Sequence, residues 1–212
     1  MEDTAPVSSQ EQIASPRRAP SQQRSRERVE RMLAAASALI AEQGSDAMRM
    51  GEVAQRAGVS IGSLYQFFPD KRAIVWALAE RYTAESQACI SAALADVGDA
   101  EGLGQAFSEL VDIYYGLFLA EPVMRDIWSG TQADKALRQL ELADSRANAE
   151  FLTAVLKRLR PAADPTALET TAFLVWQMGE AAVRLAISVD RQEGDRLVEA
   201  YKRMALRELL AE

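Results

Sequence analysis

The sequence predicts an all-α fold, with an N-terminal helix-turn-helix domain and a larger C-terminal helical domain. Three observations predict it. Apolar residues recur at helical spacing from Val29 to Leu209. No stretch of useful length alternates apolar with polar residues, as a half-buried strand would. Residues 50–71 read as two short helices around a glycine-bearing turn, followed by the start of a third helix.

A chain of 212 residues, 49% hydrophobic and 7% aromatic, can bury a real core in one large domain or two modest ones. The expected division is a disordered arm over residues 1–23, a helix-turn-helix domain over 24–82 and a C-terminal domain over 83–212. The arm is rich in Ser, Gln, Pro and Ala and poor in large apolar residues. Arg17 and Arg18 in it either reach phosphates or the minor groove of a duplex or belong to a solvated tail.

The first helix is expected to be capped by Ser25 and to stop at Gly44. Val29, Met32, Leu33, Ala36, Leu39 and Ile40 form its apolar face, and Arg24, Arg26 and Arg28 sit at its start.

In the next helix Val53, Ala54 and Ala57 share one face, and Ala54 is small where two helices would cross closely. Gly58 stands where a helix ends in the left-handed conformation. Val59 then points inward and Ser60 is the N-cap of the following helix. Leu64 and Phe68 at i and i+4 anchor that helix, leaving Gly62, Ser63, Gln66 and Phe67 outward. Asp70 after Pro69 caps the third helix, with Lys71 and Arg72 in its first turn. Basic residues are mildly unfavourable there, a cost that a neighbouring phosphate would offset. Such a layout puts one helix into the DNA major groove.

Further helices are expected over Glu101 to Ala120, Val123 to Trp128 closed by Gly130, Asp134 to Arg160, Thr166 to Val189 and Glu193 to Leu210. Glu121-Pro122 and Pro161 act as stops, and Asp164-Pro165 supplies an N-cap with a first-position proline. The helix from Thr166 is apolar nearly all round and must be covered on all sides. Its small residues Gly179, Ala182 and Ala186 form a stripe that permits close approach of a partner helix. With Tyr201 and Met204 of the last helix, that stripe is expected to make a homodimer face, the alternative being that both helices serve only the core of one chain.

The net charge of −7 is unevenly divided. From Arg17 to Arg81 eleven basic residues stand against seven acidic ones, so the deficit lies in the C-terminal part. A basic head on an acidic body would orient the molecule on DNA. There is no histidine, which excludes His-based triads and histidine metal sites. No nucleophile-base pair, metal-spaced cluster or phosphate-cradling glycine loop is visible, so neither catalysis nor a cofactor is expected. Cys89 is the only cysteine, so no internal disulfide can form and a reducing, cytoplasmic setting is expected. No apolar run approaches the roughly eighteen residues that cross a bilayer, and the N-terminus lacks a secretory apolar segment.

Residues 24–82 resemble the DNA-binding domain of the TetR family of bacterial transcriptional regulators. The resemblance rests on Glu42-Gln43-Gly44, on Val53-Ala54-Gln55-Arg56-Ala57-Gly58-Val59-Ser60, and on Gly62-Ser63-Leu64-Tyr65-Gln66-Phe67-Phe68-Pro69-Asp70-Lys71. It implies that Ile61, Gly62, Ser63 and Gln66 face base edges, while Tyr65, Phe67 and Lys71 lie along the phosphates. Arg28, Arg49 and Ser60 complete the expected DNA-binding set. Two departures stand out. Met48-Arg49-Met50 replaces the threonine that usually opens the second helix, and Phe67 stands where the family often has tyrosine.

The resemblance also implies a homodimer on a near-palindromic operator and a small-molecule pocket in the C-terminal helices. Phe107, Tyr114, Tyr115, Phe118, Met124, Trp128, Phe173, Trp176 and Met178 suit an apolar or aromatic ligand, although aromatic positions at helical spacing more often serve simply as core. Gln177, Glu180, Arg184, Asp112 and Arg125 are candidates for a polar end, and Glu180 with Arg184 would equally make a helix salt bridge. The expected function is therefore a ligand-released repressor. The alternative is a helical DNA-binding regulator with no small-molecule effector, controlled by a protein partner.

Overall fold

A computed structural model describes residues 20–131 and 135–211. Every regular element among them is a helix: α1 (Pro20–Gln43), α2 (Met50–Ala57), α3 (Ile61–Phe67), α4 (Lys71–Ala95), α5 (Ala100–Ala120), α6 (Pro122–Thr131), α7 (Lys135–Leu159), α8 (Pro165–Ala186) and α9 (Arg191–Leu209). Most of the arm, with Arg17 and Arg18, lies outside the described residues. α1 begins at Pro20, so Ser25 sits inside the helix rather than capping it. Proline suits that first position because its missing N–H would have no helical partner there.

The head is built by local signals. α2 buries Val53, Ala54 and Ala57, and Gly58 ends it at φ 66°, a left-handed conformation that strains any residue with a Cβ. The Ser60 Oγ accepts the Ser63 N–H at 3.1 Å and starts α3. Leu64 is wholly buried and Phe68 nearly so, which fixes α3 against α1, α2 and α4. Full burial of such a side chain contributes roughly 2 kcal/mol. Asp70 Oδ1 accepts the Ala73 N–H at 2.9 Å and starts α4.

α4 joins head and body as one rigid element. Its 25 residues extend about 37 Å at the α-helical rise. Ile74 and Leu78 belong to the head core, Ile90 and Leu94 to the body core, and Tyr82 packs against both. The far end is closed by Arg158 of α7, whose Nη2 donates to the carbonyl oxygens of Val97 (3.0 Å) and Leu94 (3.3 Å). α6 forms a second bridge, because its Val123 and Ile127 are buried in the head core.

In the body α8 lies between α7 and α9. The Asp164 carboxylate accepts the N–H groups of Thr166 and Ala167, with Pro165 at the first helical position. Two expected boundaries move, and a third cannot be placed. Gly130 falls inside α6 instead of closing it. The start expected at Asp134 lies outside the described residues. α8 stops at Ala186, short of Val189. No helix among the described residues is long and apolar enough to cross a membrane.

Candidate DNA interface and ligand cavity

The outward face of α3 presents Ile61, Gly62, Tyr65 and Gln66, all exposed, at i, i+1, i+4 and i+5. Ile61 and Tyr65 are 45% and 50% exposed there, so this short helix offers apolar and aromatic contact surface beside its polar groups. Arg28 reaches this face from α1, with Nη1 3.5 Å from the Ser63 Oγ. Arg49 is exposed beside the start of α2 and makes no side-chain cap there. Arg56 is committed to Glu42, at 2.8 Å.

Three expected contacts are modified by packing. Phe67 is half-buried against the head core, so part of its ring anchors α3. Ser63 is half-buried, and its hydroxyl is already beside Arg28. Lys71 Nζ donates to the Asp46 carbonyl at 3.0 Å, which braces the loop between α1 and α2. Its two remaining protons stay available to a phosphate. Ser60 acts through its cap bond, which orients the helix.

The body encloses a cavity of about 350 Å³ between α4, α5, α8 and α9. Of the expected ligand contacts, Phe107, Tyr114, Trp176 and Glu180 line it. A smaller chamber of about 60 Å³ adjoins it, with Met124 and Trp128 in its wall. The two chambers share Tyr82, Ser86, Tyr114, Leu117, Trp176 and Glu180. Phe118 stands behind this wall, its ring 4.9 Å from Tyr114 and 5.8 Å from Trp128.

The other expected contacts point elsewhere. Phe173 lies under the Arg146 guanidinium at 4.5 Å. Tyr115 is buried toward α9, where Arg191 sits 5.4 Å from its ring. Asp112 accepts from Lys202 at 2.9 Å, and Arg125 is exposed. Both rings instead meet cations on neighbouring helices.

Glu180 is the polar centre of the cavity and only 7% exposed. Its Oε1 accepts from the Ser145 hydroxyl at 2.7 Å and its Oε2 from the Gln177 amide at 3.1 Å. Burial pushes its carboxyl up to about 7, against the opposing effect of the Ser145 bond. Burial likewise raises the Tyr114 hydroxyl well above its ordinary value, and the Glu180 charge adds to this. The alternative helix salt bridge is not formed: Arg184 bonds Glu141 of α7 at 2.9 Å and stacks 5.3 Å from Trp128.

The expected dimer stripe is redistributed. Gly179 and Tyr201 line the cavity, and a Cβ on Gly179 would sit 2.7 Å from the Tyr201 hydroxyl oxygen. Ala186 is buried in the body core, and Ala182 is half-buried against it. These residues bring α8 onto α9 within one chain, because small residues permit close approach to whichever helix lies nearest. Met204 alone of the set is exposed, at 57%. On α8 the exposed large hydrophobic residues are Leu174, Met178 and Leu185, spaced i, i+4 and i+11 on one stripe.

Sequence reasoning missed the α4 side of the cavity, formed by Tyr82, Glu85, Ser86, Cys89 and Ile90. A signal was present. From Lys71 to Val97 there is neither glycine nor proline, so the helix has no reason to end at Tyr82.

Comparison with known proteins gives the family and the fold. A family model described as "Bacterial regulatory proteins, tetR family" matches residues 32–78. Another, "Tetracyclin repressor-like, C-terminal domain", matches residues 101–212. A 58-residue stretch is 43% identical to the HTH-type transcriptional repressor KstR of Rhodococcus jostii (strain RHA1), and this match spans 27% of each chain. The structure is similar to that of a TetR-family transcriptional regulator from Streptomyces coelicolor, at 28% identity and TM-score 0.68, covering 88% of this chain and 97% of that one. The fold is also shared with FadR of Bacillus subtilis, solved with stearoyl-CoA, at 19% identity and TM-score 0.59, covering 86% of this chain and 97% of that one.

Proposed function

The chain belongs to the tetR family of bacterial regulatory proteins, and on that premise we propose that it is a homodimeric, cytoplasmic transcriptional repressor. It binds a near-palindromic double-stranded operator and leaves it when a small apolar or aromatic molecule fills the body cavity. The observation that carries this reading is the outward face of α3, where Ile61, Gly62, Tyr65 and Gln66 stand exposed with Arg28 alongside. Gln66 can make paired hydrogen bonds to a base edge, and Ile61 can meet a thymine methyl.

Two subunits present two such faces to successive major grooves, about 34–36 Å apart. The dimer face would use Leu174, Met178 and Leu185 of α8 with Met204 of α9, which are exposed in the single chain. Release follows from α4. That helix begins at Lys71, directly after α3, and its later turns wall the cavity through Tyr82, Ser86 and Cys89. A packed helix moves as a body, so a ligand that displaces the wall also displaces the start of the helix.

The test is selection of bound fragments from a random duplex pool at modest ionic strength. The expected result is a near-palindrome with half-sites about one helical turn apart. Retention of all duplexes alike would refute the reading.

A further inference from the structure

We infer that the effector is an amphiphilic cation, with an apolar body in the 350 Å³ chamber and an ammonium or guanidinium end in the annex lined by Glu141, Asp144, Asn148 and Glu180. This deepens the reading of the cavity as an effector site and rests on it.

The first argument is the character of the lining. Among the described residues the ionisable groups of the large chamber are Glu85, Glu121 and Glu180, with Tyr82, Tyr114, Tyr201 and Cys89, and no lysine or arginine. The annex adds Glu141 and Asp144, again without a cation. Arg184 faces the cluster from α8 but lines neither chamber, being engaged with Glu141 and the Trp128 ring. Three carboxyl groups therefore meet one guanidinium. An anionic head placed there would add a like charge in a partly dry site, the costliest arrangement available.

The second argument is an acceptor left over. Asn148 is 2% exposed, and its Oδ1 has no hydrogen-bond partner. Its amide helps keep the neighbouring Asp144 carboxylate charged, so the nitrogen turns to Asp144 and the carbonyl oxygen is the free atom. Gln87 of α4 also donates to Asp144, at 2.8 Å. A buried acceptor without a donor costs about 1–3 kcal/mol. Glu180, with two bonds made, keeps lone pairs for further donors. The annex thus offers carboxylate and amide oxygens and no cationic side chain of its own, which suits an ammonium. Its volume of about 60 Å³ holds a group of that size.

The third argument is electrostatic. Burial raises the Glu180 carboxyl to about 7, and a cation bound beside it would oppose that shift. The cation would thereby hold the carboxylate ionised while its chain fills the aromatic chamber beside Phe107, Tyr114 and Trp176.

Calorimetric titration of the full chain with decylammonium, decanol, decanoate and decanoyl-CoA tests this, because the four share one chain and differ in the head. Decylammonium should bind about tenfold or more tightly than decanol, and decanoate and decanoyl-CoA more weakly than decanol. In Glu180→Gln, if folded by its circular dichroism melt, the preference for the amine over the alcohol should largely vanish. Equal affinity for amine and alcohol, preference for either anion, or no binding of any probe overturns the inference. Operator release by the same probes is scored separately. Release by decanol without amine preference leaves the effector reading intact while this inference fails, and amine preference without release does the reverse.

Discussion

The Ser45 backbone N–H donates a hydrogen bond of 3.0 Å to the Oδ2 of Asp126, which ties α6 to the loop between α1 and α2. With Val123 and Ile127 in the head core, this bond makes α6 a second strut beside α4. Asp126→Ala should therefore loosen the loop by about 1 kcal/mol and accelerate hydrogen exchange at the Ser45 amide about fivefold. Exchange at the wild-type rate would mean that the loop is held by other contacts.

Gln66→Ala and Lys71→Ala separate base reading from phosphate contact. The first should relax preference at one base pair, at about 1–3 kcal/mol, while leaving the other positions alone. The second should weaken all duplexes and lower the logarithmic salt slope by about one unit. Because Lys71 also braces the Asp46 carbonyl, its circular dichroism melt must be compared as well. A salt slope that does not change removes it from the phosphate contacts.

The exposed stripe of α8 predicts where subunits separate. Leu185 is 51% exposed in the single chain, so Leu185→Asp disturbs little inside it. A buried charge in a subunit interface is strongly unfavourable. Sedimentation should therefore show a shift toward monomer with the helical spectrum retained. A dimer of wild-type stability would place the interface on another surface.

Gly179→Ala should destabilise the chain by about 1–3 kcal/mol, since the new methyl must push the Tyr201 hydroxyl off the Val175 carbonyl, to which it donates at 2.7 Å. In a Tyr201→Phe background the clashing oxygen is gone, and the same substitution should cost less. Denaturant melts of the four proteins read the coupling directly. Strict additivity would show that the two groups do not meet.

Glu180 predicts a pH dependence with a definite sign. Its carboxyl is raised from 4.5 to about 7, so between those values the folded state binds the proton more tightly than the unfolded state. Stability is then greatest below about 4.5 from this group and falls as pH rises toward 7, by at most on the order of 3 kcal/mol. Burial raises Asp144 too, which gives the same sign. Glu180→Gln should flatten most of this slope in urea melts at pH 5 and pH 7. A slope of the wild-type size in the variant would assign it to other groups.

The corner of the head is legible in the string of residues because its signals are short-range. Gly58 must be left-handed, Ser60 and Asp70 each bond an amide three residues on, and Asp164-Pro165 opens a helix by the same local logic. Backbone sterics and caps act within a turn, so the order of residue types contains them. The choice among faces is different. α8 is apolar nearly all round, so its composition holds no preference for which side turns to α9, to the cavity or outward. Only the packing of α7, α8 and α9 settles that Gly179 meets Tyr201 while Leu185 stays exposed. Phe67 and Lys71 follow the same rule, their places set by the head core and by the Asp46 carbonyl, both remote in sequence from a single turn. Burial and cavity shape are sums over distant segments, and those sums exist only once the chain has closed on itself.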